Sequence, residues 1–400
     1  MSEGKSVELP VARSRRYASL DACRGIACLF VVIHHSTQYA ATKEFGEQLA
    51  SGEIPGSLTT WLIWQTSRLW IGVPIFFAIS GYCISAAADD HRQKNRPMSS
   101  YFWRRFWRIY PPYWICLAMT CLLLLVAART LPPGPLTEEI NLAPMPSTLS
   151  LEQWVGNLTL TESWRYHVTP AKERMILAQS WTLCFEEQFY MLIGLILCVA
   201  PKKLFQALLV ITLIIWANTV ANFNVWAHGG NWNAFKFVRP GTFFSGEWLQ
   251  FAAGVGVYYF RIHAGRWAKV GILAALLYLI LAILFPLSSL GNTQRVDLVV
   301  IFFAFLLIAG EPWDLRVAKS WGGRFFGAFG KISYSMYLVH YPMVNVIAHL
   351  LHRAGWSSPQ ATLLLTIPLC VMASSVLAMV FYHCVERHFL NTKPTVAVPA

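Results

Sequence analysis

The chain has 400 residues, of which 56% are hydrophobic and only 13% are charged. Soluble domains carry about 25% charged residues, so the composition excludes an ordinary soluble enzyme and predicts an integral membrane protein. The formal net charge is +12 at pH 7, but the basic residues lie in short clusters between apolar runs, a pattern typical of membrane topology rather than nucleic-acid binding.

Apolar runs divide the chain into candidate membrane spans, because an α-helix needs about 20 apolar residues to cross the hydrocarbon core. Ten such runs lie near residues 18–40, 60–87, 109–129, 181–200, 204–220, 243–260, 270–288, 296–310, 324–350 and 361–384. Two of them are short and two are long and partly polar, so nine or eleven spans remain alternatives. We expect an all-α integral membrane protein with about ten transmembrane helices.

Basic residues indicate how these spans are oriented. With ten spans, the connections on the side of the two termini hold 21 Lys and Arg residues, whereas those on the opposite side hold 10. Because cytoplasmic connections are enriched in Lys and Arg, we expect both termini in the cytoplasm. The chain then comprises a cytoplasmic basic tail (1–17), a transmembrane domain (18–386) and a second cytoplasmic tail (387–400). The first span lacks a small-residue cleavage site and is expected to remain as a signal anchor.

Two long connections, 130–180 and 221–242, face outward in this topology. The first combines turn-forming prolines with Trp154, Trp164 and Tyr166, a composition too aromatic for a plain linker. It either covers a site that opens to the outside or lies as an ordered loop on the membrane interface, where Trp and Tyr are enriched. The nine cysteines lie mostly in or beside apolar runs and form no CxxC pair, so we expect neither a metal site nor a disulfide framework.

The first span contains ionisable residues, which are costly inside a membrane and therefore mark functional candidates. Eleven positions separate Arg24 from His35, which places both on one helix face about 16 Å apart along the axis. His34 points about 80° to one side, so we favour His35 as a general base. The alternative is structural: buried histidines that neighbouring helices satisfy, with Arg24 paired to Asp21 one turn back.

Two arginines precede the third span. Arg105 and Arg108 lie one turn apart and face the same way, and guanidinium groups can bind phosphate through two parallel hydrogen bonds. They indicate an anionic ligand on the cytoplasmic side. The alternative is a basic amphipathic stretch that lies on anionic lipid headgroups.

Carboxylates and hydroxyls mark the fourth and ninth spans. Glu186 and Glu187 lie in the second turn of the fourth span, where a carboxylate either interacts with the helix dipole or orients an imidazole. In the ninth span, Ser333, Tyr337 and His340 recur at i, i+4 and i+7 and form one polar stripe. This stripe holds a substrate, conducts protons or makes ordinary interhelical hydrogen bonds.

In this order, these segments resemble the membrane acyltransferase 3 family, whose members O-acylate cell-surface carbohydrates and some small molecules. The similar segments, which cover about residues 17 to 390, are Arg24 with ten spacers before His35, Gly72–Tyr82 with Phe-Phe-x-x-Ser-Gly, Arg105–Pro112, Trp181–Tyr190, Ile332–Pro342 and Val385–Arg387. Thr182 stands where the family usually has Ser, and Pro74 where many members have Asp. We expect no extracellular esterase-like domain of the kind that some members carry.

The resemblance implies a ten-helix core and a cytoplasmic acyl-CoA donor. His35 is then central to transfer, and Glu186 matches the carboxylate of the family's motif. Arg24, Arg105 and Arg108 match positions that hold or orient the donor. No cofactor is expected to be bound permanently, since acyl-CoA is a co-substrate.

We expect a membrane-bound O-acyltransferase that moves an acetyl group from acyl-CoA to a hydroxyl of a cell-surface or exported carbohydrate or glycolipid, in the cytoplasmic membrane of a bacterium. Ser80, Tyr337 and His340 are expected to contact the substrate. His35 either removes the proton of the acceptor hydroxyl, or an acyl-enzyme forms on His35 or Ser80. The alternative function is a proton-coupled multi-pass transporter, because intramembrane His, Glu and Tyr also build proton relays.

Overall fold

The computed structural model describes residues 17–37, 56–130, 143–227, 241–242, 247–267, 269–274, 277 and 292–390, and these residues form helices, turns and irregular segments but no β-strand. The principal helices are α1 (Leu20–Thr37), α2 (Leu58–Ser67), α3 (Gly72–Gln93), α4 (Met98–Thr130), α5 (Leu151–Thr159), α6 (Glu162–Arg165), α7 (Trp181–Val199), α8 (Leu204–Ala227), α9 (Glu247–Ile262), α10 (Asn292–Gly310), α11 (Asp314–Lys319), α12 (Trp321–Lys331), α13 (Ser333–Arg353) and α14 (Ile367–Cys384). The predicted span near 270–288 and the predicted tails 1–17 and 387–400 lie largely outside the described residues.

Long apolar helices make the chain an integral membrane protein. Within the described residues, four helical segments have the length and apolar composition needed to cross a membrane, namely Leu58–Gln93, Met98–Arg129, Ala178–Val199 and Pro359–His388. Large apolar side chains on several helices are more than half exposed, among them Leu122, Met191, Leu209, Phe302 and Val376. Apolar surface spread over so many helices is suited to contact with lipid rather than water.

Helix α4 begins earlier than the predicted start of the third span near residue 109. It begins at Met98 and continues through Arg105, Arg108, Pro111 and Pro112 without a break. The hydropathy criterion located only the apolar part of this helix, because basic and aromatic residues occupy its first three turns. Both arginines are therefore helical, as their spacing predicted.

The predicted ninth span near 324–350 is two helices rather than one. The chain leaves regular α-helical geometry at Ile332, where α12 ends and α13 begins. Glu386 accepts hydrogen bonds from the Ser335 backbone N–H at 3.0 Å and from the Ser335 hydroxyl at 2.5 Å. This carboxylate thus satisfies one of the free N–H groups that a new helix start creates, which hydropathy alone does not reveal.

Helix α1 is packed between other helices and contacts α3, α12, α13 and α14. Its crossing with α12 depends on glycine: a Cβ on Gly25 would lie 1.9 Å from the Phe326 carbonyl oxygen, and one on Gly330 would lie 1.7 Å from the Asp21 carbonyl oxygen. Small residues allow membrane helices to approach to backbone contact. The crossing therefore fixes the register of α1 against α12.

The start of α1 is held by a carboxylate from a distant part of the chain. The backbone N–H groups of Ala18 and Ser19 donate to Asp314 at 2.8 and 2.9 Å, and the Ser19 hydroxyl donates at 2.6 Å. Asp314, the first residue of α11, is buried. Since a carboxylate at a helix N-terminus also interacts favourably with the helix dipole, Asp314 stabilises the helix that carries Arg24 and His35.

The long connection before α7 is ordered over its described part, residues 143–180. Buried Glu162 accepts hydrogen bonds from the Arg165 guanidinium at 2.7 and 2.8 Å and from the Arg174 backbone N–H at 2.8 Å. These bonds fold the connection onto itself immediately before α7. It stays a prediction that the connection covers a site open to the outside.

Candidate active site

A cavity of about 610 Å³ lies among α1, α3, α4, α7 and α13. All eight side chains that the sequence singled out line it, namely His35, Glu186, Arg24, Arg105, Arg108, Ser80, Tyr337 and His340. The fold therefore brings together residues from five separated helices. The chemical roles assigned to them stay predictions.

The cavity follows the axis of α1. Asp21, Arg24, Cys28, Val31 and His35 all line it, and their spacing is that of one helix face. At a rise of 1.5 Å per residue, the lining part of α1 is about 21 Å long, and Arg24 and His35 lie about 16 Å apart along it.

His34 takes a different direction from its neighbour. Its Nδ1 lies 2.7 Å from the carbonyl oxygen of Ser67, the last residue of α2. The side chain does not belong to the cavity lining. Of the two adjacent histidines, His35 is therefore the one that a ligand in the cavity would reach.

One end of the cavity, here called the arginine end, is formed by Arg24, Arg105 and Arg108. The Arg24 guanidinium lies 3.3 Å from Asp21 Oδ1 and donates to Cys83 Sγ at 3.0 Å. The structural alternative for Arg24, pairing with Asp21 one turn back, is thus present. The pair nevertheless lines the cavity, so pairing does not remove the guanidinium from a ligand's reach.

Arg105 faces the protein interior rather than a lipid surface. Its guanidinium donates to the Tyr190 hydroxyl at 3.1 Å and lies 4.3 Å from the centre of that ring. Arg108, one turn further on, is exposed and lines the same cavity, as does Lys331. Four cationic side chains thus line this cavity, an arrangement suited to an anionic ligand.

Between the two ends, a serine and a carboxylate form a hydrogen bond across helices. Buried Ser80, on α3, donates from Oγ to Glu186 Oε1 on α7 at 2.5 Å. Glu186 was predicted to orient His35, whereas the partner that its geometry identifies is Ser80. The orienting role for His35 stays a prediction.

The opposite end of the cavity, here called the histidine end, contains His35 and His340. Their ring centroids lie 5.4 Å apart, and the ring of Tyr341 lies 4.9 Å from that of His35. His340 is only 1% exposed. An imidazole facing a cavity can accept a proton or a hydrogen bond from a bound ligand.

The hydrogen bonds of His340 determine where its proton lies. Nδ1 is 2.8 Å from the Tyr337 carbonyl oxygen and 3.1 Å from the Met336 carbonyl oxygen. Carbonyl oxygens only accept, so we assign the proton of the neutral ring to Nδ1. The remaining nitrogen, Nε2, then carries a lone pair, and it has no hydrogen-bond partner in the part of the chain that is described.

Gln179 also lines the cavity, although no pattern in the sequence marks it as a site residue. Its Nε2 donates to the Leu338 carbonyl oxygen at 2.8 Å, and its own backbone carbonyl accepts from the Tyr337 hydroxyl. Thr182 donates to the same Tyr337 hydroxyl at 3.0 Å. A polar residue just before the Trp181 segment was the available signal, but its contact with α13 is a property of the fold.

A second cavity, of about 350 Å³, adjoins the histidine end. Trp181 lines both cavities, and Tyr341, whose ring contacts His35, lines the second together with Glu173. Partial burial and the nearby Glu162 carboxylate raise the pKa of Glu173 above its ordinary value. Trp181 therefore lies between the histidine end and a second cavity on the side of the long connection, in which Glu173 is the charged side chain.

Comparison with known proteins identifies a family. A family model described as an acyltransferase domain matches residues 17–385. This range contains all residues that line the larger cavity except Glu386 and Leu390. Protein 2 in the picA locus of Rhizobium radiobacter is 30% identical to this chain over 105 residues, which are 26% of this chain and 44% of that protein. The match thus spans less than half of that relative. No solved structure matches the chain.

Proposed function

Since the chain belongs to the acyltransferase 3 family, we propose that it transfers an acetyl group from acyl-CoA to a hydroxyl of a cell-surface or exported carbohydrate or glycolipid. The observation that carries this proposal is the single cavity that joins three arginines at one end to two histidines at the other. Anion-binding groups and a proton acceptor are the two elements that acyl transfer from coenzyme A to a hydroxyl requires.

The arginine end would bind the phosphates of the donor. Arg24, Arg105 and Arg108 present planar guanidinium groups, which match phosphate geometry better than lysine does. We assign this end to the cytoplasm, where acyl-CoA is found, in a bacterial cytoplasmic membrane with about ten spans and both termini inside. The pantetheine arm of coenzyme A is similar in length to the ~16 Å between Arg24 and His35, so its thioester would reach the histidine end.

His35 is the proposed general base. It removes the proton from the acceptor hydroxyl as the hydroxyl oxygen attacks the thioester carbonyl carbon, the carbon–sulfur bond breaks, and the ester forms. The imidazolium then returns the proton to the departing thiolate, so the protein ends unchanged. No step needs a metal or an oxidant.

A covalent route is the mechanistic rival, and one contact favours it. Ser80 donates to Glu186 at 2.5 Å, the arrangement in which a carboxylate would accept the proton of an attacking serine. Attack of Ser80 Oγ on the thioester carbonyl carbon would break the carbon–sulfur bond, and Glu186 would pass the proton to the departing thiolate. The acceptor hydroxyl would then take the acetyl group from Ser80, and its proton would return to Ser80 Oγ. Acid quenching of membranes incubated with radiolabelled acetyl-CoA alone distinguishes the routes, since only the covalent one leaves label on the protein.

Transfer itself is tested with radiolabelled acetyl-CoA and membranes that contain the wild type or His35→Ala, following label into lipid-linked or polymeric carbohydrate. We expect incorporation by the wild type and none by an equally inserted His35→Ala. His352→Ala is the matched control, because His352 is exposed at the end of α13 and does not line the cavity. Unchanged incorporation by His35→Ala would remove His35 from the mechanism, and the absence of incorporation by the wild type would favour transport.

A further inference from the structure

Two buried polar atoms at the histidine end have no hydrogen-bond partner within the described residues. They are Gln179 Oε1 and His340 Nε2, and the side chains that carry them are 6% and 1% exposed. A buried polar atom without a partner destabilises the structure, so each of the two requires a ligand or an ordered water as its hydrogen-bond partner. Both side chains line the cavity.

Both atoms accept hydrogen bonds. Gln179 Nε2 faces the Leu338 carbonyl oxygen at 2.8 Å, and this contact fixes the amide orientation, because two carbonyl oxygens would repel each other. His340 Nε2 is the unprotonated nitrogen, since Nδ1 donates to the Tyr337 carbonyl at 2.8 Å. A ligand that satisfies both atoms must therefore present hydrogen-bond donors.

The chemistry of the two substrates decides which one supplies these donors. The reacting end of acetyl-CoA consists of a thioester carbonyl, a sulfur and a methyl group, none of which donates a hydrogen bond. A carbohydrate, in contrast, presents several neighbouring hydroxyls, and each hydroxyl donates one bond. The nearest donor group in coenzyme A is a single amide N–H, two carbons from the sulfur, and one N–H cannot satisfy both atoms. The two unsatisfied acceptors therefore fit the neighbouring hydroxyls of the acceptor substrate.

The two side chains are held on the same part of α13. The Gln179 backbone carbonyl accepts from the Tyr337 hydroxyl, and its side chain donates to the Leu338 carbonyl. His340 lies on the next turn, with its ring centroid 5.4 Å from that of His35. A sugar with one hydroxyl at His35 would therefore carry its adjacent hydroxyls close to this pair.

We propose that Gln179 and His340 form a subsite that binds the hydroxyls adjacent to the one that is acylated. The inference rests on the proposed function and adds the feature of the acceptor that is recognised: a sugar with free hydroxyls on the carbons next to the reacting position. Gln179 is then a specificity-determining residue. An analogue without those hydroxyls leaves the buried acceptors unpaired and is rejected.

The test measures transfer of radiolabelled acetyl from acetyl-CoA to methyl glucoside, methyl galactoside and methyl mannoside, to their monodeoxy analogues, and to lipid-linked carbohydrate of the membrane. For the wild type, we expect loss of an adjacent hydroxyl to lower kcat/KM by about tenfold or more. Gln179→Met removes the acceptor oxygen at similar size, and the Leu338 carbonyl still accepts from Cys116 at 3.3 Å. This variant should lose about tenfold with the parent acceptor and discriminate less than about threefold between parent and analogue.

Two readouts separate this subsite from a merely structural role. KM for acetyl-CoA should stay within about twofold of wild type in Gln179→Met, because the atom faces the acceptor. Gln206→Met, an equal change at an exposed position of α8, should behave as wild type. A raised KM for acetyl-CoA, or full transfer to every acceptor by Gln179→Met, would overturn the subsite alone.

Comparison of the parent glycosides with their monodeoxy analogues uses only the wild-type protein. It therefore tests the subsite even if Gln179→Met does not accumulate. Equal kcat/KM for a parent glycoside and its monodeoxy analogues overturns the subsite while the proposed function stands. Failure of the wild type to acetylate any of the supplied or lipid-linked acceptors overturns both.

Discussion

Replacing Asp314 by alanine tests how the helix that carries Arg24 and His35 is held. The Asp314 carboxylate accepts bonds from the Ala18 and Ser19 backbone N–H groups at 2.8 and 2.9 Å and from the Ser19 hydroxyl at 2.6 Å. Removal of an N-cap acceptor costs about 1–2 kcal/mol, and buried donors left without a partner add about 1 kcal/mol. We expect Asp314→Ala to lower the free energy of unfolding by about 2–3 kcal/mol.

The assay is the apparent Tm of the purified protein in detergent. At about 2 °C per kcal/mol for a large chain, the expected decrease is about 4–6 °C, and Asp314→Asn, which keeps one uncharged acceptor, should lose about half of that. Asp90→Ala is the matched control, because Asp90 pairs with Lys94, whose side chain is 56% exposed, and such pairs contribute about 0–1 kcal/mol. Equal decreases for Asp314→Ala and Asp90→Ala would refute the reasoning.

Three further substitutions test other contacts. Gly330→Val is expected to prevent stable folding, because the valine Cβ would lie 1.7 Å from the Asp21 carbonyl oxygen. A variant that is active and elutes as a single species from size-exclusion chromatography would contradict the α1–α12 crossing. Arg105→Lys should raise KM for acetyl-CoA about tenfold and leave kcat within about threefold of the wild type, because the planar guanidinium is lost. A fall in kcat without a change in KM would exclude donor binding by Arg105. Asp89→Ala should lower the free energy of unfolding by about 3 kcal/mol, because this buried carboxylate accepts a hydrogen bond from Tyr258 at 2.8 Å and pairs with Arg92. The measurement is the apparent Tm, and an unchanged Tm would show that these contacts do not stabilise the fold.

Sequence spacing could predict the parts of the site that lie within one helix. Arg24 and His35 share a face because eleven residues complete about three turns, and the structure has both lining one cavity. The same holds for Arg105 and Arg108. Hydropathy located the apolar part of α4 but not its start at Met98, because it is insensitive to basic residues that continue a helix.

Contacts between helices could not be read from the sequence. The Ser80–Glu186 hydrogen bond joins positions 106 residues apart, and no periodicity specifies that α3 and α7 are neighbours. The Asp314 cap of α1 and the contact of Gln179 with α13 have the same origin. Each depends on how distant helices pack against one another, so the partners become known only when the helices are placed side by side.

In the proposed mechanism, the two neighbouring imidazoles would have different functions. At 5.4 Å between ring centroids, two imidazolium charges would repel each other by about 3 kcal/mol at an effective dielectric constant of about 20. This repulsion opposes protonation of both rings at once, and transfer needs only one proton. His340 already donates from Nδ1 to the Tyr337 carbonyl, so it serves best as a fixed neutral acceptor. In the proposed mechanism, His35 would then gain and return the proton, while His340 would position the hydroxyl beside it.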